Sequence, residues 1–126
     1  MIGRLSALDA QLPIEGEGCE CNYYQFPIRF ATSQERDFMS LRLLNMGIDA
    51  ARYLDGVVDI ARRTYGYDGS FKVAEVCSKT TLVVPNYYTI SEKIDEIASA
   101  VLAAHQLFKT DQGEVNRCMT RKLNRT

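Results

Sequence analysis

The chain has 126 residues, of which 46% are hydrophobic and 25% are charged, and its formal net charge is −1. This composition is typical of one globular domain, and the near-zero charge gives no general attraction to nucleic acid or to an anionic membrane. No apolar run approaches the ~18 residues of a membrane span, and no apolar leader opens the chain. We therefore expect a cytoplasmic protein that has no nucleic-acid or membrane partner.

Residues 1–21 have the features of a lead-in segment, because the acidic and glycine-containing loop at residues 15–18 favours exposed backbone. Residues 22–30 predict a strand, since they are rich in aromatic and β-branched side chains. Alternate residues of this strand share one face: Tyr24, Phe26, Ile28 and Phe30. Pro27 cannot donate a hydrogen bond to a sheet. We therefore expect an edge strand or one that turns its missing donor outward.

A helix is predicted to follow, because Thr32 and Glu35 have the spacing of a capping box. Phe38, Leu41 and Leu44 are expected on its buried side. Gly47 suits the left-handed position that closes a helix, since it has no Cβ to clash.

A second helix is indicated by apolar residues at helical spacing from Leu54 to Ala61, and Asp55 is its expected N-cap. It ends in the glycine-containing loop at residues 65–70.

The strongest pattern in the chain runs from Phe71 to Phe108. A short helical turn leads into the apolar strand Thr81–Val84, and an amphipathic helix follows. The expected buried stripe of that helix consists of Ile94, Ile97, Ala98, Val101, Leu102 and Phe108. His105, the single histidine, falls on or beside this stripe and is interpreted as a packing residue.

This order of elements predicts an α+β two-layer domain over residues 22–108, in which a small, mostly antiparallel sheet packs with three to four helices. Residues 109–126 carry five basic and two acidic side chains. They are predicted to form a basic tail, either disordered or an extra helix, and a solvated end is favoured over a nucleic-acid contact.

Two loops are candidates for a ligand-facing or interface-facing edge. Glycines let backbone approach a ligand closely, and tyrosines supply flat amphipathic surface. The alternative interpretation is turn chemistry with tyrosines packed on the rim of the core. The candidate residues are Tyr65, Tyr67, Asp68, Asn86, Tyr87 and Tyr88.

No catalytic or metal site is expected. Cys19 and Cys21 are separated by one residue, whereas structural zinc sites usually space their cysteines by about two to four residues. With Cys77 and Cys118 they are scattered along the chain, so free thiols are expected. No nucleophile can be paired with His105 from spacing, and no phosphate-binding glycine motif is present.

Several short segments, taken in order, resemble the C-terminal small domain of the DegT/DnrJ/EryC1/StrS aminotransferases. They are residues 22–29, 35–37, 47–50, 65–69, 73–75 and 81–90. The resemblance implies the small domain of a fold-type I enzyme that uses pyridoxal phosphate, in many members on nucleotide-linked keto-sugars. In that family the aldimine-forming lysine and most cofactor contacts belong to the large domain, which has no counterpart here.

The resemblance therefore implies no catalytic residue at any position of this chain. We expect a free-standing, non-catalytic domain that forms a homodimer or docks onto a separately encoded large-domain protein. One alternative is a subunit that completes a split aminotransferase, with pyridoxal phosphate supplied by the large domain in trans. The other is a small-ligand binding module that uses the two tyrosine-containing loops.

Overall fold

The computed structural model describes the backbone of residues 1–20, 22, 24–86 and 88–123, and the side chains of these residues except 88–90 and 114–123. Short 3₁₀ helices at Ile2–Leu5 and Tyr88–Lys93 accompany the main elements. In chain order these are β1 (Phe26–Arg29), α1 (Ser33–Asn45), α2 (Val57–Tyr65), α3 (Lys72–Thr80), β2 (Thr81–Val84) and α4 (Ile94–Leu123). None of the described helices is both long and apolar enough to cross a membrane.

The two strands form an antiparallel pair in which Phe26 lies opposite Val84 and Arg29 lies opposite Thr81. Single antiparallel bridges extend the pair on both sides, from Gln11 to Arg29 and from Ala51 to Val83. A small antiparallel sheet packed with helices is the architecture that the sequence predicts, so the α+β fold class is confirmed.

Pro27 turns its nitrogen away from the partner strand. The amide of Arg29 donates to the Gln11 carbonyl at 2.9 Å, whereas that of Phe30 donates to the Thr80 carbonyl at 3.0 Å. Because successive residues of a strand point their backbone groups to opposite sides, the nitrogen of Pro27 faces the same side as that of Arg29. The prediction of an outward-facing missing donor is confirmed.

The core is formed by the two strands together with α1 and α4. Ile28 on β1, Leu82 on β2 and Val101 on α4 are completely inaccessible to solvent. Ile97 and Ala98 are also buried, and the other members of the predicted stripe are half-buried. The stripe is therefore confirmed. The backbone of α4 continues beyond Phe108, where the sequence predicts the end of the domain, as far as Leu123.

Helix α1 begins as predicted but buries a different face. The Thr32 hydroxyl accepts a hydrogen bond from the Glu35 amide at 3.1 Å. Phe38, expected inside, is half-buried against the core, whereas Leu41 and Leu44, also expected inside, are each 60% exposed. Met39 and Leu43 are buried instead, together with Glu35 and Arg36. Apolar residues surround the second half of this helix, so their spacing alone does not define the buried side.

Helix α2 begins one residue later than predicted. Its N-cap is Gly56, whose φ of 78° lies in the left-handed region. The expected cap, Asp55, instead accepts a hydrogen bond from Arg36 at 2.5 Å. Arg52 also lies close to Asp55, at 3.4 Å. The Asp55 carboxylate therefore links the loop before α2 to α1 through Arg36.

Candidate functional site

The first predicted loop is held together by its own side chains. The Tyr67 hydroxyl accepts a hydrogen bond from the Phe71 amide at 2.8 Å, and the two rings stack with centroids 5.9 Å apart. Hydrogen bonds from the Ser70 side chain and backbone lower the pKa of Asp68. Tyr65 is 81% exposed. Tyr67 and Asp68 thus stabilise the turn, which is the alternative interpretation of this loop.

Of the second predicted loop, Asn86 lines a groove beside β2. Tyr87 lies outside the described residues, as does the side chain of Tyr88. None of the candidates Tyr65, Tyr67 and Asp68 lines this groove. The structure therefore does not bring the two loops together at this groove.

The groove has a volume of about 140 Å³. Backbone hydrogen bonds of 2.8 Å in both directions between Ala51 and Val83 hold the segment before α2 along β2. Because Phe26 lies opposite Val84, the residues before β1 lie across from the residues after β2. The groove forms between these segments and is lined by Tyr24, Gln25, Asp49, Ala51, Tyr53, Val83, Val84, Pro85 and Asn86.

Of these lining residues only Asn86 was a sequence candidate, and the aromatic and acidic side chains that the sequence did not single out are Tyr24, Asp49 and Tyr53. Tyr24 was placed on the same strand face as Phe26 and Ile28, which are buried, but it precedes β1 and is 82% exposed. Asp49 and Tyr53 come from the segment between α1 and α2. Only the bridge from Ala51 to Val83 places them beside Asn86, and no local sequence signal indicates that bridge.

A buried polar pair joins α1 to α4. His105 Nε2 lies 3.0 Å from Glu35 Oε1, and the two side chains are 9% and 2% exposed. Neither atom has a hydrogen-bond partner among the described residues, so the contact is a close approach of two buried polar groups. With both side chains almost sealed from solvent, the pair is placed for packing rather than for access to a substrate. The burial of His105 agrees with its predicted place on or beside the stripe of α4.

The thiols do not form a site among the described residues. Cys19 is exposed and Cys77 is half-buried, and both are free. Cys21 and the side chain of Cys118 lie outside the described part of the chain. Within that part, no three metal-binding side chains of His, Cys, Asp or Glu converge.

A set of exposed apolar side chains lies on α2 and α3. These helices touch each other, and Arg62 on α2 pairs with Glu75 on α3 at 2.9 Å. Helix α2 has no buried residue. We call the following set of residues, each between 46% and 72% exposed, the helix-pair surface: Val57, Ile60, Phe71, Val73 and Val76.

Comparison of the chain with protein-family models, with characterised proteins and with solved structures gave no match.

Proposed function

We propose that this chain is a non-catalytic domain, similar to an aminotransferase small domain, that associates with a second copy of itself through the helix-pair surface. The observation that carries the proposal is the solvent exposure of apolar residues on α2. Its apolar residues recur at helical spacing, which is typical of a helix with one buried side, yet Val58 and Ala61 are only half-buried and Val57 and Ile60 are exposed. A second copy would cover this side.

The expected strength of the association follows from the exposed side chains. Burial of the exposed apolar area of each side chain in the helix-pair surface would contribute about 1 kcal/mol. Two copies supply ten such side chains, so the total is roughly 10 kcal/mol. Association itself costs about 4–15 kcal/mol in lost freedom of motion. The proposal is therefore of a weak dimer whose population depends on protein concentration.

The charges around the surface suit a second copy. Asp59 on α2 is 69% exposed and lies 3.8 Å from Arg62, and Lys72 on α3 is 77% exposed and lies 3.8 Å from Glu75. In a two-fold symmetric dimer both copies use the same patch. If Asp59 of one copy faces Lys72 of the second copy, the symmetry therefore repeats that contact in the opposite direction. The net charge of −1 adds little repulsion between copies.

The proposal includes no cofactor and a cytoplasmic location. The free thiols of Cys19 and Cys77 support that location, because thiols stay reduced in the cytosol. The comparisons gave no match, so the proposed likeness to the aminotransferase small domain is supported by the six segments named in the sequence analysis and by the α+β fold class.

Sedimentation velocity at protein concentrations from about 1 μM to about 500 μM tests the association. The weight-average sedimentation coefficient should rise with concentration, and Ile60→Asp should weaken the dimer at least about tenfold, since it places a charge at the centre of an apolar contact. Ile14→Asp is the matched control, because Ile14 is 86% exposed but belongs to the lead-in segment.

A species that remains monomeric at the highest concentration would contradict self-association. Docking onto a separately encoded large-domain protein would then be the function to test, by co-purification of such a protein with the wild-type chain and with Ile60→Asp. Equal weakening by Ile14→Asp and Ile60→Asp would also contradict the assignment of the interface to α2 and α3.

A further inference from the structure

The groove beside β2 contains a carboxylate without a partner among the described residues. Asp49 is exposed and lines the groove, and no described side chain or backbone amide bonds to it. The neighbouring acids differ, because Asp37 and Asp55 both pair with Arg36, at 2.8 Å and 2.5 Å. Among the described residues no lysine or arginine lines the groove, so the described lining has a formal charge of −1.

The size of the groove limits what can occupy it. Its volume of about 140 Å³ is close to the ~150 Å³ cavity that holds one benzene molecule. Sites for drug-sized ligands measure about 300–1,000 Å³. A head group of roughly six heavy atoms fits this space, whereas a nucleotide-sugar or pyridoxal phosphate would extend beyond it.

Two tyrosines line the groove together with the carboxylate. Tyr24 is 82% exposed and Tyr53 is 63% exposed, so neither ring is used to pack the core. Aromatic rings attract organic cations through the negative charge on their faces, and a nearby carboxylate adds a direct counter-charge. Gln25 contributes an uncharged amide whose oxygen can accept a hydrogen bond from an ammonium or guanidinium group.

We infer that the groove binds a small organic cation, an alkylammonium or alkylguanidinium head group, with Asp49 as its counter-charge and Tyr24 and Tyr53 as aromatic walls. This site is independent of the proposed dimer, because no residue of the helix-pair surface lines the groove. Failure of one proposal therefore leaves the other unaffected.

Titration of the ¹⁵N-labelled chain with n-butylammonium and n-butylguanidinium chloride tests the inference. Amide shifts should be confined to residues near positions 24–25, 49–53 and 83–86 and should saturate with a Kd of about 1–10 mM, as expected for a ligand of this size. Sodium chloride at the same ionic strength should not reproduce them. No saturable shift beyond the effect of sodium chloride would overturn the inference.

Substitutions at the groove make the test specific. Asp49→Asn should weaken binding at least about fivefold, since it removes the counter-charge. Tyr53→Ala should weaken binding about threefold, and Tyr53→Phe should keep the wild-type affinity because the ring remains. Glu17→Gln removes the same charge from the exposed lead-in segment and should leave affinity unchanged. Equal affinity in Asp49→Asn and wild type would overturn the inference.

A second titration distinguishes the two possible sources of the cation, a side chain of a partner protein and a free small molecule. The blocked peptides Gly-Lys-Gly and Gly-Arg-Gly are titrated under the same conditions. Binding about tenfold tighter than the alkyl cations, with the same loss in Asp49→Asn, identifies a side chain of a partner protein as the cation. Binding no tighter than the alkyl cations identifies a free small molecule. Circular dichroism of every variant confirms that its fold is retained.

Discussion

His105 on α4 and Glu35 in the first turn of α1 meet inside the protein, with Nε2 and Oε1 3.0 Å apart. Both residues are buried, at 7% and 2% exposure. The two helices pack against each other, so this pair lies within their interface. Water cannot replace either partner there, and removal of one leaves the other without compensation.

Glu35→Leu and His105→Leu should each lower the free energy of unfolding by about 3–5 kcal/mol, because each leaves a buried polar partner unpaired. The double variant should be close to wild type or more stable, since two apolar side chains replace the pair. Urea denaturation followed by circular dichroism measures all three.

Lys93→Ala is the control for this series. It breaks an exposed pair with Glu96, in which the side chains are 65% and 67% exposed, and it should leave the urea midpoint unchanged because solvent screens such pairs. Single variants as stable as wild type would contradict the structural role of the buried pair.

Adjacent leucines on α1 provide a matched comparison of burial. Leu43 is fully buried, whereas Leu44 is 60% exposed. Leu43→Ala should lower the free energy of unfolding by about 2–5 kcal/mol, since it removes core contacts and leaves a cavity. Leu44→Ala should change it by less than about 0.5 kcal/mol. Thermal or urea unfolding of the two variants decides which face of α1 is inside; the reverse order would support the face that the sequence predicts.

The pH dependence of stability should report the contact between Asp9 and Lys109, which is 2.9 Å long. The hydrogen bond from Lys109 lowers the pKa of Asp9, and the hydrogen bond to Asp9 raises the pKa of Lys109. The contribution of Asp9 to stability is fully present above the pKa of about 3.9 that it has in the unfolded chain. This contribution is lost as pH falls through the lower pKa that Asp9 has in the folded protein. Stability from Lys109 is present below its unfolded pKa of about 10.4 and is lost as pH rises through the higher folded value.

Asp9→Asn should therefore be less stable than wild type between about pH 4 and pH 10, and the difference should shrink at both ends of this range. Urea midpoints of both proteins at intervals from about pH 2 to pH 11 measure it. The effect should be small, because the Asp9 side chain is 82% exposed. A difference that stays constant down to the lowest pH would contradict the assignment.

Alanine substitutions at two glycines distinguish the effect of backbone strain from that of side-chain packing, because both glycines have open space around them. Gly47 has a φ of +78°, whereas Gly113 lies within α4, and an added Cβ would meet no atom within 4 Å at either position. Gly47→Ala should cost about 1 kcal/mol, because it forces a left-handed conformation on a residue with a Cβ. Gly113→Ala should stabilise by up to about 1 kcal/mol through helix propensity. Thermal unfolding of the two variants provides the test, and stabilisation by both would contradict the strained turn at Gly47.

Local signals predicted the sheet and the last helix. Residues 81–84 are apolar without interruption, and β2 occupies that range. The cap at Thr32 and the closing glycine at Gly47 were also predictable, because each depends on residues within one turn of the helix.

The candidate site was less predictable. Tyrosines and glycines indicated the loop at residues 65–69, but its polar groups are engaged within the turn. The groove was missed except for Asn86, because its walls come from three separate segments. Tyr24 and Tyr53 share it only through the strand register and the bridge from Ala51 to Val83.

The sequence by itself determined the elements and the α+β class, since helical and strand periods, caps and turn residues act between near neighbours in the chain. Only the tertiary structure decided that α1 buries Leu43 rather than Leu44, that Glu35 meets His105, and that Asp49 stands beside two tyrosines. These outcomes depend on contacts between residues distant in sequence, where packing and ion pairing select one arrangement among several that the same local pattern allows.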